Sequence, residues 1–108
     1  MLYGSGAAGI GVAAQIRTGL VAEGLSPAEA SARIHVLDSR GLLVEGRARI
    51  EAYKRPFTHP RSVVPWAEVG ERAPGLLEVV EKTRATVLLG LSGQGGSFDE
   101  RVVRAMAA

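Results

Sequence analysis

The sequence predicts an α/β fold: an open parallel sheet of about three strands with helices on both faces. Two observations carry this. Short apolar runs at Ile34-His35-Val36-Leu37 and Thr86-Val87-Leu88-Leu89-Gly90-Leu91 alternate with stretches of helical periodicity. Each of two glycine clusters is then followed by a helix signal. Strands alternating with helices and running in one direction form a parallel sheet covered by helices. Hydrophobic residues make up 46% and charged residues 22% of the 108. That excludes a disordered or fibrous chain and supports a single domain over residues 1–108.

The first glycine cluster, Gly4 to Gly11, follows only three residues, with Leu2 and Tyr3 as a reduced first strand. Val12 to Glu23 reads as a helix with Ile16, Leu20 and Val21 on one side and Gly24 as its stop. Ser26-Pro27-Ala28-Glu29 is a capping box with proline at the first helical position, which predicts a second helix from Pro27 to Arg33. The strand at Ile34–Leu37 empties into the turn Asp38-Ser39-Arg40-Gly41. From Leu42 to Ala73 the prolines Pro56, Pro60 and Pro65 punctuate what is expected to be mostly loop. Gly75 to Arg84 is a helix with Leu76, Leu77, Val79 and Val80 as its buried side. The strand Thr86–Leu91 leads into the second cluster, Gly93-Gln94-Gly95-Gly96. Ser97-Phe98-Asp99-Glu100 is a further capping box, opening a last helix to about Met106.

Composition narrows the function classes. With 13 basic and 11 acidic residues the formal charge is +2. Arg40, Arg47, Arg49, Lys54, Arg55 and Arg61 make the middle third mildly basic, but no aromatic series accompanies them. They are read as a solvated face, and no nucleic-acid partner is expected. The absence of cysteine excludes disulfides and thiolate metal sites and points to the reducing cytoplasm. No run approaches the roughly 18 apolar residues of a membrane helix, and no export signal opens the chain, so no membrane partner is expected. His35 and His59 lack ligand company at metal spacing and are given structural roles, with no metal assigned. None of Ser5, Ser39, Ser92 or Ser97 sits in a nucleophile elbow, and Tyr53-Lys54 are adjacent instead of one helical turn apart. No catalytic residue is assigned.

Gly4-Ser5-Gly6-Ala7-Ala8-Gly9 fits the pattern in which the first glycine permits a tight turn, the second admits a pyrophosphate and the third packs helix against strand. The following helix start offers free N–H groups to phosphate. Glycine loops are common, and context gives this one weight: a helix follows directly, then a strand ending in an acid. Asp38 is that acid, placed to accept hydrogen bonds from ribose hydroxyls. It stands 29 positions after Gly9 (38 minus 9), against about 20 in the common fingerprint; a helical insertion at Ser26–Arg33 accounts for the excess. The plain alternative, an Asp that forms the turn before Gly41, is outweighed by the glycine motif upstream. Asp38 disfavours a 2′-phosphate, whereas Ser39 and Arg40 beside it would receive one, so the balance leans to NAD with NADP open. Ser92-Gly93, at the mouth of the last strand, lies where the ribose or nicotinamide side of a cofactor would pass, a reading compatible with a plain strand-to-helix turn.

Together these segments resemble the NAD-binding domain of malic enzymes. The resemblance rests on Gly4 to Ala13, on Val36-Leu37-Asp38-Ser39-Arg40-Gly41-Leu42, on Lys54-Arg55-Pro56-Phe57, and on Thr86 to Phe98 with the helix after it. It covers nearly the whole chain and is weakest from Thr58 to Ala73. It implies a Rossmann-like fold, incomplete and cut short at both ends. It also implies pyrophosphate contacts from Gly6, Ala7, Ala8 and Gly9, adenosine-ribose contacts from Asp38 and Ser39, and nicotinamide-side contacts from Leu91 and Ser92.

The family's substrate domain, with its catalytic Tyr and Lys and the acidic ligands of a divalent metal, is expected to lie outside these residues. So is the asparagine-bearing turn that follows the domain. The chain is therefore expected to bind NAD(P) without oxidatively decarboxylating malate to pyruvate by itself, and the metal is expected only with the substrate domain. A separate substrate-domain chain or a homo-oligomer is the expected partner. With its first strand so short, the domain is expected to be marginal and prone to associate. The competing readings are a non-catalytic nucleotide-binding or interaction remnant, and another nucleotide user on the same fold, such as a methyltransferase.

Overall fold

The computed structural model describes residues 1–4, 6–47, 49–69, 73–90 and 99–107. Its elements are strand β1 (Leu2–Tyr3), helices α1 (Ala7–Ala22) and α2 (Pro27–Ala32), and strands β2 (Val36–Asp38) and β3 (Gly41–Leu42). A 3-10 helix (Ala52–Phe57), helix α3 (Leu76–Thr83), strand β4 (Leu89–Gly90) and helix α4 (Glu100–Ala107) follow. The described sheet has the order β3-β2-β1-β4. β1 pairs in parallel with β2 through Leu2–Val36 and Tyr3–Leu37, and with β4 through Leu2–Leu89 and Tyr3–Gly90. Short as it is, β1 holds the centre, and Leu2 is buried. This is a partial Rossmann-like α/β fold.

The sheet departs from the expectation in two respects: it has four described strands instead of about three, and β3 runs antiparallel to β2. The physical cause is the two-residue connection Ser39-Arg40, because a link that short can only reverse the chain. Gly41 is required there twice over. Its φ is +102°, and a Cβ would run into the backbone carbonyls of Ala73 and Pro74. The stretch read as loop also carries the 3-10 helix and a parallel bridge between Val44 and His59.

Side chains alternate across the sheet and divide the core in two. Leu2 and Val36 face α1, joining Ala13, Ile34, Leu43 and Phe57 with Ile10 and Ile16 against them. Leu37 and Leu42 face the other way, with Val44, Val64, Ala67 and Val79 of α3, and with Tyr3 and Trp66 at the margin. α4 packs on α3, so it belongs to this second side.

Two helix starts differ from the reading. α1 begins at Ala7, five residues before Val12, with Gly6 as N-cap, so Gly9 and Gly11 lie inside the helix. At α4 the predicted cap Ser97 lies outside the described residues, and Asp99 Oδ1 accepts the Val102 N–H at 3.0 Å. The α2 capping box is as expected: Ser26 Oγ accepts from the Glu29 N–H, and Glu29 Oε1 accepts from the Ser26 N–H, both at 3.1 Å. β2 starts at Val36, two residues later than read. β4 covers only Leu89–Gly90 of the predicted Thr86–Leu91, with Leu91 outside the described residues.

Candidate functional site

After β1 the chain crosses to the α1 side of the sheet. The helix that follows β4 lies with α3 on the opposite side. Because β1 and β4 are neighbours, the strand order reverses between them, and ligands of open α/β sheets bind outside the carboxyl ends of the strands at such a point. Among the described residues, Gly4 and Gly6 leave β1 there. The residues leaving β4, 91–98, lie outside the described ones.

The start of α1 is built for backbone approach. Gly6 has an extended backbone, caps the helix without any side-chain hydrogen bond, and meets none of the described residues where a Cβ would stand. Gly9 is the opposite case. A Cβ there would collide with the Gly4 carbonyl, so this glycine sets how closely α1 approaches β1. The Gly4 N–H donates to the Leu37 carbonyl at 2.9 Å, which ties the loop to the end of β2 next to Asp38.

Asp38 is the centre of a charged network. Arg47 holds it with two parallel bonds, Nη1 to Oδ1 at 2.6 Å and Nη2 to Oδ2 at 2.7 Å. The Arg40 N–H donates to Oδ1 at 2.8 Å and Lys54 Nζ to Oδ2 at 3.3 Å. The same Arg47 guanidinium also donates to the carbonyls of Gly41 and Arg49. Lys54 makes a second ion pair with Glu51 at 2.7 Å. Burial pushes the Asp38 carboxyl up, but the Arg47 fork, the Arg40 N–H and Lys54 outweigh it and hold Asp38 below its ordinary value. For Lys54, burial is likewise outweighed, here by Glu51 and Asp38, and its pKa is raised.

The reading of the basic residues as a solvated face is thereby corrected for two of them. The Arg47 side chain is fully buried and that of Lys54 is 8% exposed, because each has an acid to pair with. Neither was visible as a partner of Asp38, lying nine and sixteen positions along the chain. The available signal was the segment Lys54-Arg55-Pro56-Phe57, whose Phe57 anchors in the core. Asp38 also does what the plain alternative proposed, forming the turn through the Arg40 N–H.

At the opposite end of the strands a cavity of about 530 Å³ is lined by Met1, Leu2, Arg33 to His35 and Thr83 to Val87, among others. It lies at the amino ends of the strands, away from the crevice where α/β sheets take ligands. Near it His35 and His59 stack with ring centroids 4.7 Å apart, and His59 Nε2 bonds the Ile34 carbonyl. Burial, then the neighbouring His59 and the N-terminus, push the His35 pKa down to about 4.

The structure thus brings Gly4, Gly6 and the first turn of α1, with Ala7, Ala8 and Gly9, beside the end of β2, where Asp38 and Ser39 stand. Ser5, Leu91, Ser92 and Gly93 lie outside the described residues. The family model of the malic enzyme NAD-binding domain matches residues 1–108. The chain belongs to that family.

Among curated relatives, the NAD-dependent malic enzyme of Acinetobacter baylyi is 42% identical over 96% of this chain and 18% of its own length. NAD-dependent malic enzyme 3 of Bacillus subtilis is 36% identical over 100% of the chain and 19% of its own. The NAD-dependent malic enzyme of Shewanella denitrificans is 33% identical over 98% and 19%. The chain therefore spans about a fifth of the length of these malic enzymes. Among its described residues no group of three or more His, Cys, Asp or Glu side chains converges, so they do not fit a divalent metal. No described helix is long and apolar enough to cross a membrane.

Proposed function

We propose that this chain is the NAD-binding module of a malic-enzyme-type oxidoreductase. In this reading it binds the dinucleotide and leaves the chemistry of malate decarboxylation, with its metal and catalytic side chains, to a substrate domain in the same or a partner chain. The observation that carries the reading is the hydrogen bond from Gly4 to Leu37, which sets the glycine-capped start of α1 beside the Asp38 carboxylate at the mouth of the switch point. A pyrophosphate needs N–H donors and an approach free of side chains; Gly6, Ala7, Ala8 and Gly9 are assigned to it, and Gly4 and Ser5 to the same cofactor-binding loop. Asp38 and Ser39 are assigned to the adenosine ribose, and Leu91, Ser92 and Gly93 to the nicotinamide side. When bound, NAD supplies the hydride acceptor, and this chain supplies position and electrostatics.

NAD is favoured over NADP because the two buried cations beside Asp38 already have anionic partners. Arg47 is taken by Asp38, and Lys54 by Asp38 and Glu51. A 2′-phosphate brought to that place would meet a carboxylate first. The fold without thiols suits the cytoplasm.

Calorimetric titration of the chain with NAD, NADP and S-adenosylmethionine tests the proposal. Saturable binding of NAD, tighter than NADP and without S-adenosylmethionine binding, is expected. Tighter NADP would reverse the cofactor assignment, and S-adenosylmethionine binding would move the chain to another nucleotide class. A folded chain that binds none of the three would be the interaction remnant that keeps only the fold.

A further inference from the structure

A separate cavity of about 520 Å³ is lined by Glu45, Arg47, Arg49, Ile50, Arg55 and Thr58, among others. Neither Asp38 nor Ser39 is among its described lining residues. Three arginines meet there, and their states differ. Arg47 is buried, with both Nη atoms engaged by Asp38 and by the Gly41 and Arg49 carbonyls. Its buried Nε has no partner among the described residues. Arg49 and Arg55 are exposed, and among the described residues neither side chain has an acidic partner. Glu45 is the one acid among the described lining residues. Arg61, whose guanidinium lies near Gly46, brings a positive charge to the same side.

The backbone of Arg49 adds an independent observation. Its φ is +58°, in the left-handed region that a residue with a side chain seldom enters. The structural service of this position is its carbonyl, which accepts from Arg47 Nη2 at 3.3 Å. A glycine would offer the same carbonyl from the same conformation without strain. The fold therefore does not call for an arginine side chain here, and an outlier that the fold does not need points to a task for that side chain.

We propose that this cavity is a phosphate site, which takes inorganic phosphate or the phosphate of a monoester on the guanidinium groups of Arg49 and Arg55. Two guanidinium groups supply two charges and two planar forks, which match a doubly charged group with oxygens in more than one plane. The Thr58 hydroxyl donates to the Lys54 carbonyl at 3.1 Å, so the arginines are the side-chain donors to the anion. The volume leaves room for the organic part of a monoester, with Ile50 as an apolar wall. Binding here is independent of the dinucleotide assignment, whose pyrophosphate belongs to the start of α1.

The test uses the full chain, with inorganic phosphate, glycerol 3-phosphate and acetate as probes by calorimetry, and circular dichroism to establish folding of each variant. Saturable binding of the two phosphates and none of acetate is expected. The tighter of the two phosphates tells free phosphate from a monoester, and either supports the site. Arg49→Gly keeps the left-handed backbone and the carbonyl on Arg47 and removes only the side chain. It is expected to melt no lower than the parent and to bind phosphate about tenfold more weakly, the equivalent of one charged hydrogen bond. Arg55→Gln is expected to lose a similar factor while NAD titration is unchanged, and it serves equally if Arg49→Gly does not fold. Absence of phosphate binding by the parent chain, equal binding of acetate, or undiminished binding in both arginine variants would each overturn the site. Loss of phosphate binding in Gly6→Ala, with the arginine variants unaffected, would place the anion at the start of α1 and also overturn it. Phosphate binding lost in the arginine variants of a chain that does not bind NAD would sink the cofactor reading alone.

Discussion

The start of α1 and the β2–β3 turn stand side by side and are made in contrasting ways. At α1 what counts is the absence of side chains: a Cβ at Gly6 would meet none of the described residues, and Gly9 lets helix and strand touch. At the turn a single carboxylate accepts, among the described residues, from Arg40, Arg47 and Lys54, and the Arg47 side chain is fully buried. The first region is defined by six consecutive residues and the second by residues sixteen positions apart. That difference teaches which sites a local pattern can reveal. It also implies that the two regions respond to substitution in different ways, the turn through charge and the helix start through space.

The largest effect is expected at the turn. Arg47→Ala leaves Asp38 in a partly buried site without the two-bond fork that holds it, and breaking a buried pair from one side costs about 3–5 kcal/mol. Urea denaturation should show a loss of that order, and Arg47→Lys should restore only part of it, because an ammonium cannot reproduce the two-bond fork. A loss under about 1 kcal/mol would make the network a surface feature and break the contrast.

Next in size is Gly9→Ala, which drives a Cβ into the Gly4 carbonyl and should destabilise by about 2 kcal/mol as helix and strand move apart. Melting temperature checks it, and an unchanged value would show that α1 can shift freely.

A third expectation, about 1 kcal/mol, concerns pH and sharpens the comparison by involving neither region. The folded pKa of His35 is about 4, below its ordinary value of 6.5, so protons bind the unfolded chain first. Its contribution is complete above about pH 6.5 and is lost as pH falls toward 4. Denaturation at pH 7 and 5.5 should differ by about 1 kcal/mol. Asp38, held below 3.8, stays charged across that interval and contributes nothing to the difference; its own stabilisation is lost only as pH falls through its folded value.

The smallest effect on the fold is expected for Gly6→Ala, within about 0.5 kcal/mol, since none of the described residues stands where the Cβ would go. Its NAD affinity should nonetheless fall about tenfold, because the methyl occupies the approach assigned to the pyrophosphate. Equal losses in stability and affinity would remove the distinction between a packing glycine and a binding glycine.

Much of this was legible along the chain. The alternation of strands and helices, the Ser26–Glu29 capping box and the packing role of Gly9 each depend on residues a few positions apart. The start of α1 was misplaced because glycines at 9 and 11 disguise a helical segment whose first turn is fixed by contact with β1. β3 was missed because two residues carry no periodicity, and its existence depends on Ala73 and Pro74 lying against Gly41. Asp38 is legible as the acid that ends β2, but the burial of Arg47 and Lys54 around it is not, since pairing across nine and sixteen positions leaves no spacing signal. The turn-forming reading of Asp38, set against the ribose reading in the sequence, is present in the Arg40 bond, and that bond does not stand against the ribose assignment.

The central claim, that NAD binds where the start of α1 meets the Asp38 turn, is tested most directly by titrating NAD into the ¹⁵N-labelled chain and following backbone amide shifts. The account predicts that the amides of Gly6, Ala7, Ala8, Gly9, Asp38 and Ser39 move together with one saturable affinity. Shifts confined to the far end of the sheet, at Leu2, Arg33 to His35 and Thr83 to Val87, would place the ligand in the opposite cavity and contradict it.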